Sequence, residues 1–293
     1  MATALDILTA RELRAIEPLV LLPRKSPRGQ VRGERQSKAK GVSIEFSDNR
    51  EYAEGDDLRH LDWNILARLG TPVMKVYHDE QDLQVHLLVD RSKSMETGSP
   101  SKRDAANRWA QALSMIALNG GDSLTLYRLG ETGPVPRSLR GRQASPKVTR
   151  WLQTGEALDA TLSTSLRAFG RTRPKPGIAI LITDGLDPSM AQSIQELSSL
   201  RLELWVIQIL SPQEVEPELE GDLRLVDVET NQMVEITANR DAILAYKANL
   251  AEHQQALRAA VTKVGGRIAQ VTSATPIEAI LTRVMIPERG VSG

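Results

Sequence analysis

The sequence contains no cysteine. That absence excludes disulfides, thiolate metal sites, iron–sulfur clusters and cysteine nucleophiles together, and it accords with a reducing compartment. Aromatic residues make up only 3% of the 293 residues, so the core has to be built mostly from Leu, Ile, Val and Ala. Long hydrophobic runs are missing as well. The longest candidates, Leu19–Leu22 and Ile178–Ile182, fall far short of the roughly 20 apolar residues that a membrane-spanning helix needs. Asp6, Arg11 and Glu12 interrupt the N-terminus where a secretory signal would need an unbroken apolar stretch of about 7–15 residues. A cytoplasmic location is therefore expected. Neither sign of charge dominates, since 37 Lys and Arg meet 37 Asp and Glu.

What is present is a globular composition, 41% hydrophobic and 25% charged, in a chain long enough for one large α/β domain or two smaller ones. The neutral total conceals local asymmetry. Residues 11–40 hold nine Lys/Arg against three Glu, whereas residues 45–62 hold seven acids against two Arg. The basic stretch is rich in Pro and Gly and lacks interleaved aromatics, so it reads as a solvated arm and nucleic-acid binding is not expected. Residues 211–238 are acidic, with eight Asp/Glu against Arg224, and read as a solvated face or as a docking surface for a basic partner.

Periodicity supplies the organisation. Leu13, Ile16, Leu19 and Val20 recur at helical spacing, which predicts a short helix over 10–17 checked by Pro18 and Pro23. Residues 42–82 are dense in charge and carry Phe46, Tyr52, Trp63 and Tyr77. From residue 85 onward, apolar runs alternate with helical patterns. Strands are predicted at 85–89, 123–129, 177–183 and 203–209, and helices over 101–118, 146–153, 161–169 and 189–199. A hairpin is predicted from 223–228 and 233–236, then a long helix over 239–264, a last strand at 267–271 and a closing helix over 276–285. Apolar strands without alternation, separated by helices, are what a parallel sheet covered on both faces produces. The expected fold class is α/β, a doubly wound, mostly parallel Rossmann-like sheet.

The strand 85–89 runs into Asp90-Arg91-Ser92-Lys93-Ser94, at the carboxyl edge where open α/β sheets bind ligands. One carboxylate and two hydroxyls at alternate positions can turn inward and offer oxygens to a hard dication such as Mg²⁺. The strand 177–183 ends in Asp184-Gly185, a second carboxylate in the same structural position. The plainer alternative is that the serines cap backbone N–H groups of a turn or helix. Lys93 counts against a cation unless its ammonium swings outward.

Asp90-Arg91-Ser92-Lys93-Ser94, a downstream Thr and Thr183-Asp184-Gly185 together resemble the metal-ion-dependent adhesion site of von Willebrand factor A domains. The segments Gly41–Phe46, Arg50–Trp63 and Ala67-Arg68, together with Asp227–Thr230, are similar to the hallmark of the bacterial family called domain of unknown function 58. The resemblance spans roughly residues 40–285. It implies a von Willebrand factor A-like domain over 85–285, with 211–238 as an acidic hairpin insertion, preceded by a family-specific segment within 1–84. It also implies Asp90, Ser92, Ser94, Thr161 and Asp184 as ligands of Mg²⁺ or Mn²⁺, some through water. The family pattern has Gly-Thr before the helix, whereas this chain has Asp159-Ala160-Thr161 with Thr164 nearby. Family members are commonly paired with MoxR-type AAA+ ATPases and thought to act with them in assembling or activating protein complexes.

With few carboxylates, such a site leaves a coordination position open for an Asp or Glu of a protein partner. The expected function is thus a non-enzymatic, metal-dependent interaction module, an adaptor or co-chaperone for an AAA+ ATPase. A second reading is a Mg²⁺-dependent hydrolase or nuclease using Asp90, Asp184 and acids of the 56–62 cluster, with Asp187 also close in sequence. A third is a scaffold in which Ser92 and Ser94 only cap. Around Asp56, Asp57 and Asp62 an ion-pair network with Arg50, Arg59 and Arg68 is expected, with Tyr52 and Trp63 buried. His60 adjoins that network, and His78, His86 and His253 lack ligand spacing.

Overall fold

The computed structural model describes residues 7–23, 46–53, 61–77, 83–131, 138–155, 161–229 and 231–278. The chain divides into two compact units, Ser26–Asp82 and the remainder, in which Met1–Lys25 joins Leu83–Gly293. The expected boundary placed everything before residue 85 together. Instead the first helix, α1 (Ala10–Ile16), belongs with the sheet. Leu8, Ile16 and Leu21 are buried in the same core cluster as the central strands, and Glu12 pairs with Arg108. Thr9 and Glu12 form a reciprocal capping box that starts the helix.

In the smaller unit, β1 (Phe46–Glu51) pairs antiparallel with β2 (Val73–Tyr77). Between them lies α2 (Trp63–Leu69), which closes on Gly70 in the left-handed region at φ 68°. Asp62 is its N-cap, accepting from the amides of Asn64 at 2.9 Å and Ile65 at 3.1 Å. Two expectations are corrected here. Trp63 is 63% exposed, because Leu61 and Met74, not the first helical residue, fill the buried positions. Arg68 is exposed and makes no ion pair among the described residues. Asp56, Asp57, Arg59 and His60 lie outside the described residues.

The larger unit is the predicted α/β architecture. Its strands are β3 (Gln84–Asp90), β4 (Ser123–Leu129), β5 (Gly177–Thr183) and β6 (Leu202–Leu210). A hairpin, β7 (Gly221–Val226) and β8 (Met233–Ala238), interrupts before β9 (Arg267–Thr272). The helices are α3 (Lys102–Asn119), α4 (Ser145–Gln153), α5 (Leu162–Arg171), α6 (Met190–Leu197), the single turn α7 (Pro212–Val215) and α8 (Arg240–Lys263). The five-stranded sheet runs β4-β3-β5-β6-β9, parallel throughout. The chain steps from β3 out to β4 and returns to β5 on the other side of β3, so the strand order reverses between β3 and β5 and opens a crevice at their carboxyl ends. Of the closing helix predicted over 276–285, all beyond residue 278 lies outside the described residues.

The two-residue repeat of the strands divides the core into two layers. Val85, Leu87 and Val89 of β3 and Ile178, Ile180 and Ile182 of β5 pack against Trp109, Leu113 and Ile116 of α3. Leu88, Ala179 and Leu181 face the opposite layer with Leu166, Ile194 and Leu257. Because both faces are covered, β3 and β5 are buried along nearly their whole length. No helix among the described residues is long and apolar enough to cross a membrane.

Candidate metal centre

Asp90 is the last residue of β3 and is 4% exposed. Its Oδ1 accepts the Ser92 amide at 2.9 Å, and its Oδ2 accepts the Thr183 hydroxyl of β5 at 2.6 Å. Asp90 is therefore level with Thr183 at the interstrand spacing of about 4.8 Å, and Asp184 is the next residue along. The two acids predicted from separate strand ends meet at the point where the strand order reverses. Ser92 and Ser94 face each other with hydroxyl oxygens 2.9 Å apart. Ser92 opens a short 3₁₀ turn, Lys93–Glu96, without a side-chain capping bond. The cap of α3 is Ser101, whose hydroxyl accepts the Asp104 amide. The capping alternative for the two serines is thus not what the geometry shows.

Asp184, 3% exposed, is held from the other layer of the fold. Lys102, at the first turn of α3 and fully buried, donates to Asp184 Oδ2 at 2.9 Å and to Glu214 Oε1 of α7 at 2.5 Å. The loop after β5 is pinned by Gln208, which donates to the Asp184 carbonyl at 2.9 Å, and by His253 Nε2, 2.7 Å from the Gly185 carbonyl. Gly185 turns there at φ 64° and its amide donates to Thr183 Oγ1 at 3.0 Å. Among the described residues Thr161 makes no hydrogen bond to Asp90, Ser92, Ser94 or Asp184. It caps α5, accepting the Thr164 amide at 3.3 Å, with the Thr164 hydroxyl 2.8 Å away. Asp187 ties that helix start to the β5 loop, accepting the amide of Ser163 at 3.2 Å and both the amide and hydroxyl of Ser189. With its oxygens committed in this way, Asp187 acts as a local tether.

The electrostatics are lopsided. Burial, and next the charge of Asp184, push the Asp90 carboxyl up to about 6 against the hydrogen bonds from Thr183 and Ser92. Burial acts to lower Lys102, but the carboxylates of Asp184 and Glu214 outweigh it and hold the ammonium above the ordinary lysine range. Lys102 answers Asp184 and Glu214 but makes no ion pair with Asp90, whose carboxyl is buried beside the charge of Asp184. The donor set is all oxygen, two strand-end carboxylates with the hydroxyls of Ser92 and Ser94, which suits Mg²⁺ or Mn²⁺. Arg91 does not compete for the site. Its guanidinium turns away to Asn107 Oδ1 at 3.0 Å and to the Leu152 carbonyl at 2.8 Å. Among the described residues no group of three or more His, Asp or Glu is placed to hold a metal, and Asp62 is a helix cap.

The raised Asp90 value has a definite sign. Its folded-state value lies above the ordinary carboxyl range, so the stabilisation from its proton is complete below about pH 4 and is lost as pH rises through about 6. In chelator, the stability of the wild-type chain relative to Asp90→Asn is expected to fall by about 2–3 kcal/mol across that window. Urea unfolding at a series of pH values measures it; parallel curves for the two proteins would show that Asp90 ionises normally.

Lys102 and Glu214 belong to no motif that marks them along the sequence. One signal was available: a lysine in the first turn of a helix opposes the positive end of the helix dipole, and such a lysine is tolerated where acids face it.

Several known proteins are similar to this chain. A family described as "Protein of unknown function DUF58" matches residues 48–256. The uncharacterized proteins Mb1516 of Mycobacterium bovis and Rv1480 of Mycobacterium tuberculosis are each 28% identical over 260 residues, 84% of this chain and 82% of theirs. Among solved structures, a conserved hypothetical protein, BatB, from Bacteroides thetaiotaomicron aligns with a TM-score of 0.42 at 12% identity, covering 69% of this chain and 96% of that one.

Proposed function

The chain belongs to the DUF58 family of proteins of unknown function, and on that premise we propose that it is a non-enzymatic, metal-dependent protein-interaction module. Asp90, Ser92, Ser94 and Asp184, with Thr161, would hold Mg²⁺ or Mn²⁺. The metal, when bound, supplies a coordination position for a carboxylate of a protein partner. The observation that carries the reading is the convergence of two buried strand-end carboxyls, Asp90 and Asp184, beside the facing hydroxyls of Ser92 and Ser94. The likeness of Asp90-Arg91-Ser92-Lys93-Ser94 and Thr183-Asp184-Gly185 to the adhesion site of von Willebrand factor A domains supports it.

The residues themselves have separable tasks. Thr183 orients Asp90 by donating to Oδ2, and the Ser92 amide fixes Oδ1. Lys102 holds Asp184 in place and offsets part of its charge. The family resemblance supports a MoxR-type AAA+ ATPase as the partner, with this chain as its adaptor or co-chaperone in assembling or activating protein complexes.

Affinity capture from the native cell, with and without EDTA, tests this reading. The tagged wild-type chain is expected to retain an AAA+ ATPase in Mg²⁺ and to release it in chelator. Capture indifferent to EDTA would overturn metal bridging.

A further inference from the structure

The acidic hairpin insertion is more than a solvated face. Strand alternation puts Leu223 and Leu225 of β7 and Val234 and Ile236 of β8 on one side of the hairpin, with Leu223 opposite Ile236 and Leu225 opposite Val234. A two-stranded hairpin is marginal without something to cover its apolar face. Here the cover is partial. Leu225 and Ile236 line a groove of about 950 Å³ whose other wall is α7 and the start of α8, including Ile243 and Tyr246. Leu225 remains 44% exposed and Val234 57%. That wall is fixed by defined bonds between its two elements: Tyr246 donates to the Glu214 carbonyl at 2.9 Å, and Lys247 pairs with Glu216.

The rim specifies what enters. Glu214, Glu216 and Glu218 line the groove and no Lys or Arg does; Glu220 follows, and on the adjoining face Glu218 and Glu220 lie with Arg240 and Lys247, though neither acid makes an ion pair or hydrogen bond among the described residues. We infer that this groove docks an apolar segment of a protein partner that carries Lys or Arg, its apolar side chains on Leu225, Ile236 and Ile243 and its cations on Glu218 and Glu220. Acids around an apolar floor with no Lys or Arg in its lining attract and orient such a segment and repel acidic ones. A second copy of this chain is disfavoured by the same charges, because a two-fold contact across this face would bring two acidic rims together. An anionic membrane is disfavoured likewise. The inference stands apart from the metal reading, since Leu225, Ile236, Ile243, Glu218 and Glu220 are not proposed metal ligands and the test is run without metal, although Glu214, the partner of Lys102, also lines the groove.

The test uses the full chain in EDTA, with a fluorescein-labelled 14-residue Leu/Lys peptide of helical spacing as the probe and anisotropy as the readout. Leu225→Asp, and independently Ala242→Arg on the α8 wall, are expected to weaken binding at least about tenfold. Glu218→Gln with Glu220→Gln is expected to weaken it several-fold and to reduce its salt dependence. Val226→Asp, on the opposite hairpin face, should leave affinity within about twofold of wild type, and a Leu/Glu peptide should bind at least about tenfold more weakly than the Leu/Lys one. Equal losses from Val226→Asp and Leu225→Asp would overturn the proposal. So would a wild-type dimer in sedimentation that Leu225→Asp dissolves, or binding to phosphatidylglycerol vesicles that Leu225→Asp abolishes.

Discussion

Replacing Lys102 with Met is expected to lower the unfolding free energy by about 3–5 kcal/mol, the usual cost of removing one partner from a buried charge pair. Lys102 is fully buried and its ammonium reaches both Asp184, itself almost inaccessible, and Glu214. Methionine preserves most of the stem volume, so the loss reads the charge and not a cavity. Two carboxylates are then left without their shared counter-ion, beside an Asp90 that is already hard to ionise. The deficit should be largest in chelator and shrink in excess Mg²⁺, because any ligand of the folded state adds stability by mass action and a site with one more unpaired carboxylate binds a dication more tightly. The double variant Lys102→Met with Asp184→Asn should recover part of the loss, since the variant pair no longer buries an uncompensated charge at 184. Urea unfolding of the four proteins of this cycle, each with EDTA and with Mg²⁺, measures all three effects. A loss below about 1 kcal/mol for Lys102→Met would mean that the pair is solvent-screened.

Asp90→Ala is expected to abolish the calorimetric signal of Mg²⁺ and Mn²⁺ binding while leaving the far-ultraviolet circular dichroism of the sheet and helices unchanged. The first half follows from geometry: Asp90 is the carboxylate between Thr183 and the serine pair, and its removal leaves hydroxyls and Asp184, one oxygen of which is already committed to Lys102. Hydroxyls alone bind a hard dication weakly against water. The second half follows from the position of Asp90 at the very end of β3, where the ladder hydrogen bonds are made by the backbone and the apolar contacts by Val85–Val89. Undiminished metal affinity in the variant would refute the assignment of the centre.

Much of this arrangement was readable along the chain. Val85–Val89 and Gly177–Thr183 are apolar without alternation, and that pattern arises where both faces of a strand are covered. Asp90 and Asp184 stand out because each ends such a run, and the polar side chain at a strand's carboxyl end has an open edge to occupy. The bounds of α3, α5 and α8 fall within a few residues of the periodic segments, since their caps, Ser101, Thr161 and Asn239, are local signals. Trp63 misled, because an aromatic is usually buried but here begins a short helix whose neighbours Leu61 and Met74 take the interior. Adjacency in sequence groups the N-terminal helix with the segment that follows it, although its apolar residues join the core of the sheet.

The residues by themselves determined the local periods, hence the alternation of strand and helix, the two-faced burial of β3 and β5, and the acids and hydroxyls at their ends. Tertiary structure decided which strand ends are neighbours and which distant charge answers which acid. Strand order comes from packing a whole sheet between two helical layers, so the contact of Thr183 with Asp90 joins positions 93 residues apart. The Lys102–Glu214 bond spans 112 residues, and a lysine of ordinary appearance becomes a buried counter-ion only when α3, β5 and α7 are brought together around it.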